Sequence, residues 1–324
     1  MYDTIKNFPN QFETSLHIVE ETDFRRLSGF QFRQLYYAGM GGSCLGADLF
    51  NDLYSNESNL KILRDYQVPA TVNEQDLVFI ASFSGNTEET LSTMDDALKK
   101  KASLLCLSHG GKLKELAEKN NLTYIPIPDC IQPRCAVGHF FASIFTSLHR
   151  LGRLNHPTSL LIELADYLKN KQNNLDHKGK QLAESLVGKI PIIYGPPHLQ
   201  GTCRLWKIKI NENAKTPSFY NVFPELNHNE MVGFTQNMAE FAMVCLKSKL
   251  MHPRILKRME IMAELFAKKI PVVWVELGGK TFLEETFEAV WLADFMSYYL
   301  AKAYHIDPTP VELVESFKKK LGEF

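Results

Sequence analysis

The chain predicts an α/β fold built as two related domains, each a parallel sheet flanked by helices. Three observations lead there. Short apolar runs rich in β-forming residues alternate with amphipathic stretches of helical period. Two of those runs end in glycine- or hydroxyl-rich turns that open directly into a helix. The strand–helix series then begins again near residue 190. Strands that alternate with helices of ten or more residues imply parallel sheets covered on both faces. A chain of 324 residues is long enough for two domains with real cores, and the boundaries expected are 1–153 and 154–324.

Taken in order, residues 1–34 are polar with scattered aromatics and read as helical turns before the first strand at 35–39. A turn, Met40-Gly41-Gly42-Ser43-Cys44-Leu45-Gly46, leads to a helix from Ala47. Strands follow at 61–66, 76–81, 102–108 and 123–128, the last with prolines that suit a sheet edge. Between them, Leu91, Met94 and Leu98 mark one helix face, and 112–119 reads as another helix. Residues 139–150 form a long helix, and 160–171 and 180–187 read as separate helical stretches punctuated by Asn173-Asn174. The second series has a strand at 190–195, a helix ending near Lys209, and strands at 219–222, 239–246 and 271–276. Its helices show Ile255, Met259, Met262 and Phe266 on one face, then 282–302 and 311–321.

Composition narrows the function. Lys and Arg number 36 against 37 Asp and Glu, a formal charge of −1, so bulk charge suggests neither nucleic acid nor a membrane surface as a partner. The first residues lack the apolar core of a signal peptide, and no apolar run reaches the roughly 18 residues of a membrane helix. A soluble, cytoplasmic protein is expected. The six cysteines are scattered without a C-x-x-C pair, and the ten histidines without an H-x-x-x-H pair. Reduced thiols and no metal site are expected.

The chemistry gathers first at Ser82-Phe83-Ser84-Gly85-Asn86-Thr87. A strand that turns through hydroxyl residues into a helix start presents free N–H groups, the positive end of the dipole and several O–H donors. Ser82, Ser84 and Thr87 can each donate to a phosphate oxygen. Glu88 and Glu89 would repel a dianion unless their side chains splay away. Taken alone, the loop reads equally as a capped helix after a strand. The upstream turn is a second loop of the same kind: its glycines, Gly42 among them, let backbone approach a ligand, and Ser43 adds a donor. Its glycines do not fall into a G-x-G-x-x-G dinucleotide register.

Further along, Arg134 in Gln132-Pro133-Arg134-Cys135-Ala136 is either a surface arginine or a fixed cation that offsets developing negative charge. Glu212 in Asn211-Glu212-Asn213-Ala214-Lys215 reads by chemistry alone as part of a helix C-terminal turn. His228 stands in a polar loop, Pro224-Glu225-Leu226-Asn227-His228-Asn229-Glu230, with carboxamides on both sides.

The paired hydroxyl-rich loops resemble those of the sugar isomerase (SIS) domain family, whose members bind phosphosugars at this kind of loop. The order of the Gly-Met-Gly-Gly-Ser, Ser-Phe-Ser-Gly-Asn-Thr, Pro-Arg, Asn-Glu-Asn-Ala-Lys and Pro-Glu-x-x-His-Asn segments adds more. With Asp307-Pro308-Thr309-Pro310-Val311 and the terminal Phe317-Lys318, it resembles the bifunctional phosphoglucose/phosphomannose isomerase family from about residue 35 to the C-terminus. That resemblance implies two flavodoxin-like SIS domains in a homodimer, without a metal or organic cofactor. The implied reaction interconverts glucose 6-phosphate and mannose 6-phosphate with fructose 6-phosphate through a cis-enediol. Carried over by position, Gly42, Ser43, Ser82, Ser84 and Thr87 hold the phosphate. Glu212 is the base, Arg134 the enediolate stabiliser, and His228, from the neighbouring subunit, acts with Lys318 in ring opening.

The chain departs from the family pattern in places. Cys44 stands where glycine is common, Val137-Gly138-His139 follows Arg134 in place of Ala-Leu-Pro, and a family threonine falls on Val311 or, with a shift, Thr309. The alternatives are a non-catalytic phosphosugar-sensing SIS protein or another SIS aldose–ketose isomerase. Sensors usually carry a helix-turn-helix ahead of a single SIS domain, for which residues 1–34 are too short and too little basic. A deaminase–synthase would need a glutaminase domain, for which there is no room.

Overall fold

The computed structural model describes residues 1–236 and 238–322. The chain forms two compact units: Asn7–Asp166, and Met1–Lys6 together with the chain from Tyr167 onward. Helices α1 (Tyr2–Lys6) and α2 (Asn10–Glu21) come first. The first sheet takes β1 (Gln34–Gly39), β2 (Leu60–Leu63), β3 (Asp76–Ala81), β4 (Ser103–Ser108) and β5 (Thr123–Pro126). Between and after these strands run α3 (Gly42–Ser58), α4 (Glu88–Lys99), α5 (Gly111–Lys119) and α6 (Val137–Arg150).

The strand order is β2-β1-β3-β4-β5 with every pairing parallel. This is the flavodoxin-like order, and the direction of winding reverses between β1 and β3. All residues of both strands are buried. Tyr36, Val78, Ile80 and Leu104 pack with Leu91 and Met94 of α4, the face expected from their spacing. The proline-bearing β5 lies at the edge. Strand β2 stops at Leu63, short of the expected Tyr66, and the next residue, Arg64, pairs its guanidinium with Asp48.

In the other unit, β6 (Ile190–Gly195), β7 (Phe219–Val222), β8 (Phe241–Lys247) and β9 (Val272–Glu276) form a second parallel sheet. Its order, β7-β6-β8-β9, reverses between β6 and β8. A 28-residue helix, α7 (Ser159–Leu186), precedes it. Along it lie α8 (Gln200–Asn213), α9 (Glu230–Gly233), α10 (Pro253–Phe266), α11 (Phe282–Ala303) and α12 (Glu312–Leu321). Met259, Met262 and Phe266 of α10 pack with Ile192, Tyr194 and Met243 of the sheet.

The break expected at Asn173-Asn174 is absent. An asparagine disfavours a helix interior by only about 0.5–0.7 kcal/mol relative to alanine. Here tertiary contacts outweigh it: Leu175 is buried, and Asp176 accepts from the hydroxyls of Tyr2 at 2.5 Å and Tyr299 at 2.7 Å. One turn on, Gly179 lies so close to Phe295 and Met296 that a Cβ there would come within 2.5 Å of the Phe295 side chain.

Among the described residues, no helix is long and apolar enough to cross a membrane, and no cluster of His, Cys, Asp and Glu has the make-up of a metal site. Among the described residues no two cysteines are joined in a disulfide, and burial pushes Cys106 and Cys245 up to about 12.

One core histidine gives the first unit a pH dependence. His139 is buried at the start of α6, with Nδ1 2.8 Å from Ser15 Oγ, and burial lowers its pKa from 6.5 to about 4. The unfolded chain therefore takes up a proton that the folded unit refuses. This contribution is full above about pH 6.5 and is lost as pH falls towards 4, by up to about 3 kcal/mol. Urea midpoints between pH 7.5 and 4.5 should fall more steeply for the parent chain than for His139→Gln.

Candidate active site

The site starts from the register of β1 and β3, which places Gly39 opposite Ala81. Both strands therefore release their loops at the same level, at the reversal point where α/β sheets bind ligands. A side-chain bond then joins the two loops: Phe83 N–H donates to Ser43 Oγ at 2.8 Å. Ser43 is buried, and Tyr37 Oη donates to its carbonyl at 2.7 Å from inside the sheet. The Ser43 hydroxyl proton remains available to a ligand, since the Phe83 bond uses a lone pair.

The second loop is organised internally. Ser82 is buried and its Oγ accepts from Gly85 N–H at 3.0 Å while lying 2.8 Å from Thr87 Oγ1. Thr87 occupies the N-cap position of α4 yet makes no side-chain cap bond. Its hydroxyl is turned to Ser82, which leaves the first N–H groups of α4 without a side-chain acceptor. Ser84 is exposed, and its Oγ accepts from Asn86 N–H at 3.2 Å. The Glu88 carboxylate accepts from Tyr66 Oη. Gly85 has φ +70°, and a Cβ there would meet the Gly110 carbonyl oxygen at 1.8 Å, so this turn admits glycine alone.

Arg134 belongs to the same unit. It sits in a single 3₁₀ turn, Pro133–Cys135, and a Cβ on Gly42 would lie 2.6 Å from the Arg134 nitrogen. Gly42 thus serves two purposes: it starts α3 and it lets the arginine turn pack against the loop after β1. Arg134 is 1% exposed and is not the surface arginine that its motif alone allowed. Gln11 on α2 clamps this turn, donating from Nε2 to the Cys135 carbonyl at 2.6 Å and accepting from His139 N–H at 3.2 Å. Sequence reasoning passed over Gln11. Its signal was a carboxamide within the buried face of Phe12, Ser15, Leu16 and Val19.

Glu212, His228 and Lys318 lie in the other unit. Glu212 is half-buried in the last turn of α8, as its motif predicted. Polar residues buried on either side hold that turn against α11: Lys209 pairs with Asp294, and Asn213 Nδ2 donates to Ser297 Oγ at 2.8 Å. Asn211 Nδ2 also reaches the Thr216 carbonyl at 2.8 Å. His228 is exposed at the end of a 3₁₀ turn, Glu225–His228. Its neighbouring carboxamides shape the loop. Asn229 donates to Glu225 at 2.8 Å, and Asn227 accepts from Arg258 at 3.3 Å. Glu230 anchors the loop to the sheet by accepting from Tyr194 Oη at 2.6 Å and Asn221 Nδ2 at 2.5 Å. Burial, with the Glu230 carboxylate adding to it, pushes the Tyr194 phenol well up, so it stays a donor. Lys318 is exposed on α12, with Nζ 3.0 Å from Glu315 Oε1. No residue of α12 is buried, and Leu313, Val314 and Phe317 face solvent.

Residues 175–321 match the bacterial phospho-glucose isomerase C-terminal SIS domain. The bifunctional phosphoglucose/phosphomannose isomerase of Caldicellulosiruptor bescii is 34% identical over 340 residues, covering 100% of this chain and 99% of that protein. The D-glucosamine-6-phosphate 4-epimerase of Sulfolobus acidocaldarius is 32% identical over 227 residues, covering 68% of this chain and 71% of its own. The tagatose-6-phosphate ketose/aldose isomerase of Escherichia coli superposes with a TM-score of 0.76 over 95% of this chain and 94% of its own. At 17% identity, that likeness speaks for the fold alone. With more than a third of its positions shared end to end with one relative, and the SIS loops in place on a flavodoxin-like sheet, the chain belongs to the SIS-domain family of the bifunctional phosphoglucose/phosphomannose isomerases.

Proposed function

We propose that the protein is a cytoplasmic, metal-independent aldose–ketose isomerase that converts glucose 6-phosphate and mannose 6-phosphate to and from fructose 6-phosphate. The observation that carries the reading is the Ser43–Phe83 bond, which joins two hydroxyl-bearing loops beside a buried arginine at the reversal point of one sheet. We assign residues 1–153, with the hydroxyl loops, and residues 154–324, with Glu212, as the two domains. Ser43, Ser84 and Thr87 donate to the phosphate, Ser82 orients Thr87, and backbone N–H groups near Gly42 and at the start of α4 complete the cradle.

In the proposed reaction, His228 and Lys318 supply the acid and base that open the pyranose ring. Glu212 then removes the C2 proton and returns it to C1. The enediolate formed between those steps gathers charge on oxygen, and the Arg134 guanidinium offsets it. Glucose and mannose 6-phosphates differ only at C2, so one enediol serves both if the chain can turn about C2–C3. The working form is a homodimer with His228 reaching the partner's site. The exposure of His228, of Val232 in the next helix, and of the apolar side chains of α12 supports a partner surface in this unit.

Glu212→Gln should lower kcat by about 10²–10⁴ while leaving KM nearly unchanged. Steady-state kinetics in a coupled assay with each sugar phosphate measures this, and a fully active variant removes Glu212 from the role. Ser84→Ala and Thr87→Ala should act mainly on KM. Each loses a charge-assisted hydrogen bond of about 1.5–3 kcal/mol, a rise of roughly 10- to 150-fold. EDTA dialysis should leave the turnover intact, and a loss restored by zinc would overturn the metal-free mechanism. A second reading is favoured by the 4-epimerase relative: chemistry elsewhere on the ring of an amino-sugar phosphate. Product analysis by proton NMR with glucose 6-phosphate and glucosamine 6-phosphate separates the two.

A further inference from the structure

Lys215 closes the turn that bears Glu212. It follows Ala214, the C-terminal cap of α8, and has φ +53°, a left-handed backbone that glycine adopts freely and a lysine adopts under strain. Two bonds of its side chain bear on this turn. Lys215 Nζ donates to the Glu212 carbonyl at 2.6 Å and to the Pro308 carbonyl at 3.3 Å. The first is an ordinary way for a lysine to satisfy a helix end. The second is not, because Pro308 lies in the segment that runs through Thr309 and Val311 into α12 and Lys318. That segment is itself ordered, with Thr309 N–H donating to Asp307 Oδ1 at 2.8 Å. This bond, with the Lys215 charge nearby, holds the Asp307 carboxyl below its usual range.

We propose that Lys215 is a positioning residue for the proton transfer: it fixes the turn of Glu212 and yokes it to the 307–311 segment. The inference rests on the reading of Glu212 as the base. Strained backbone that persists at one residue marks a constraint imposed by its surroundings, and here the side chain supplies that constraint. Abstraction of a carbon-bound proton is sensitive to small errors in the placement of the base, and a displacement of about 1 Å can reduce turnover about 10²-fold.

Lys215→Gly separates positioning from stability, because glycine suits the left-handed position while removing the bonds to Glu212 and Pro308. The expected result is a melting midpoint equal to or above that of the parent, kcat lower by about 10- to 10²-fold, and KM little changed. The primary isotope effect on kcat with glucose 6-phosphate deuterated at C2 should rise, since a misplaced base makes proton removal more limiting. Lys215→Arg, which keeps a donor of similar reach, should recover most of the loss. Glu212→Gln is measured beside it. An inactive Glu212→Gln with a fully active Lys215→Gly overturns the positioning role and leaves the base in place. A fully active Glu212→Gln overturns the base and the positioning role together. A fall in kcat that tracks a lowered melting midpoint, with no change in isotope effect, assigns Lys215 to stability alone and overturns the proposal.

Discussion

The candidate site depends on where β1 and β3 stop. Parallel strands wound in opposite directions from a shared starting point leave a gap between their helices, and only there can two loops face one ligand. The pairing of Gly39 with Ala81 sets both loops at one level, and the Phe83–Ser43 bond keeps them there. Each loop then needs a glycine for a different reason. Gly42 makes room for the arginine turn, and Gly85 adopts a left-handed backbone directly against the carbonyl of Gly110. The Gly85 turn thereby rests on the loop after β4, so three successive strand ends brace one another.

How much of this was legible in the sequence depended on how local each cause was. The strands, the edge position of the proline-bearing β5, the hydroxyl turns and the helix C-terminus at Glu212 all follow from patterns within a few residues, and all stand in the fold. What failed was set by distant partners. Asn173-Asn174 has the local chemistry of a break, but Tyr2, Tyr299 and Phe295, far away in sequence, hold the helix through it. Strand β2 was expected to run to Tyr66, yet Arg64 is turned to Asp48 and Tyr66 to Glu88. Gln11 could not be read as the clamp of Arg134, because 124 positions separate it from the carbonyl it binds. The same holds for Glu230: beside His228 it looks like one more polar loop residue, and only the fold brings Tyr194 to it.

The unit that carries Glu212 uses buried polarity to hold one helix against another. Lys209 is 0% exposed and its partner Asp294 nearly so. An ion pair of this kind contributes little net stability, because desolvation offsets most of the attraction, yet removing one partner costs about 3–5 kcal/mol. Its use here is directional. Lys209 and Asn213 stand four residues apart on one face of α8, and Asp294 and Ser297 stand three apart on α11. Two such bonds fix both the rotation and the axial position of α8, which apolar packing alone would leave free to slide. Trp206, one turn earlier, donates from Nε1 to the Ala289 carbonyl at 3.0 Å and extends the same lock. The last turn of α8, which bears Glu212, inherits its placement on α11 from these neighbours.

The same reasoning explains why an arginine suits position 134. A lysine with only 1% of its surface exposed would tend to shed its proton, since burial disfavours the charged form. A guanidinium brings a planar set of donors, so hydrogen bonds can offset its desolvation. Its field is also stronger away from water, where charge developing on a substrate oxygen is screened less. The backbone of the turn that carries Arg134 is braced from two directions. Gly42 admits the backbone of the turn from one side and the Gln11 carboxamide clamps it from the other. A buried arginine on a turn braced from both sides is the arrangement that the proposed enediolate chemistry asks for.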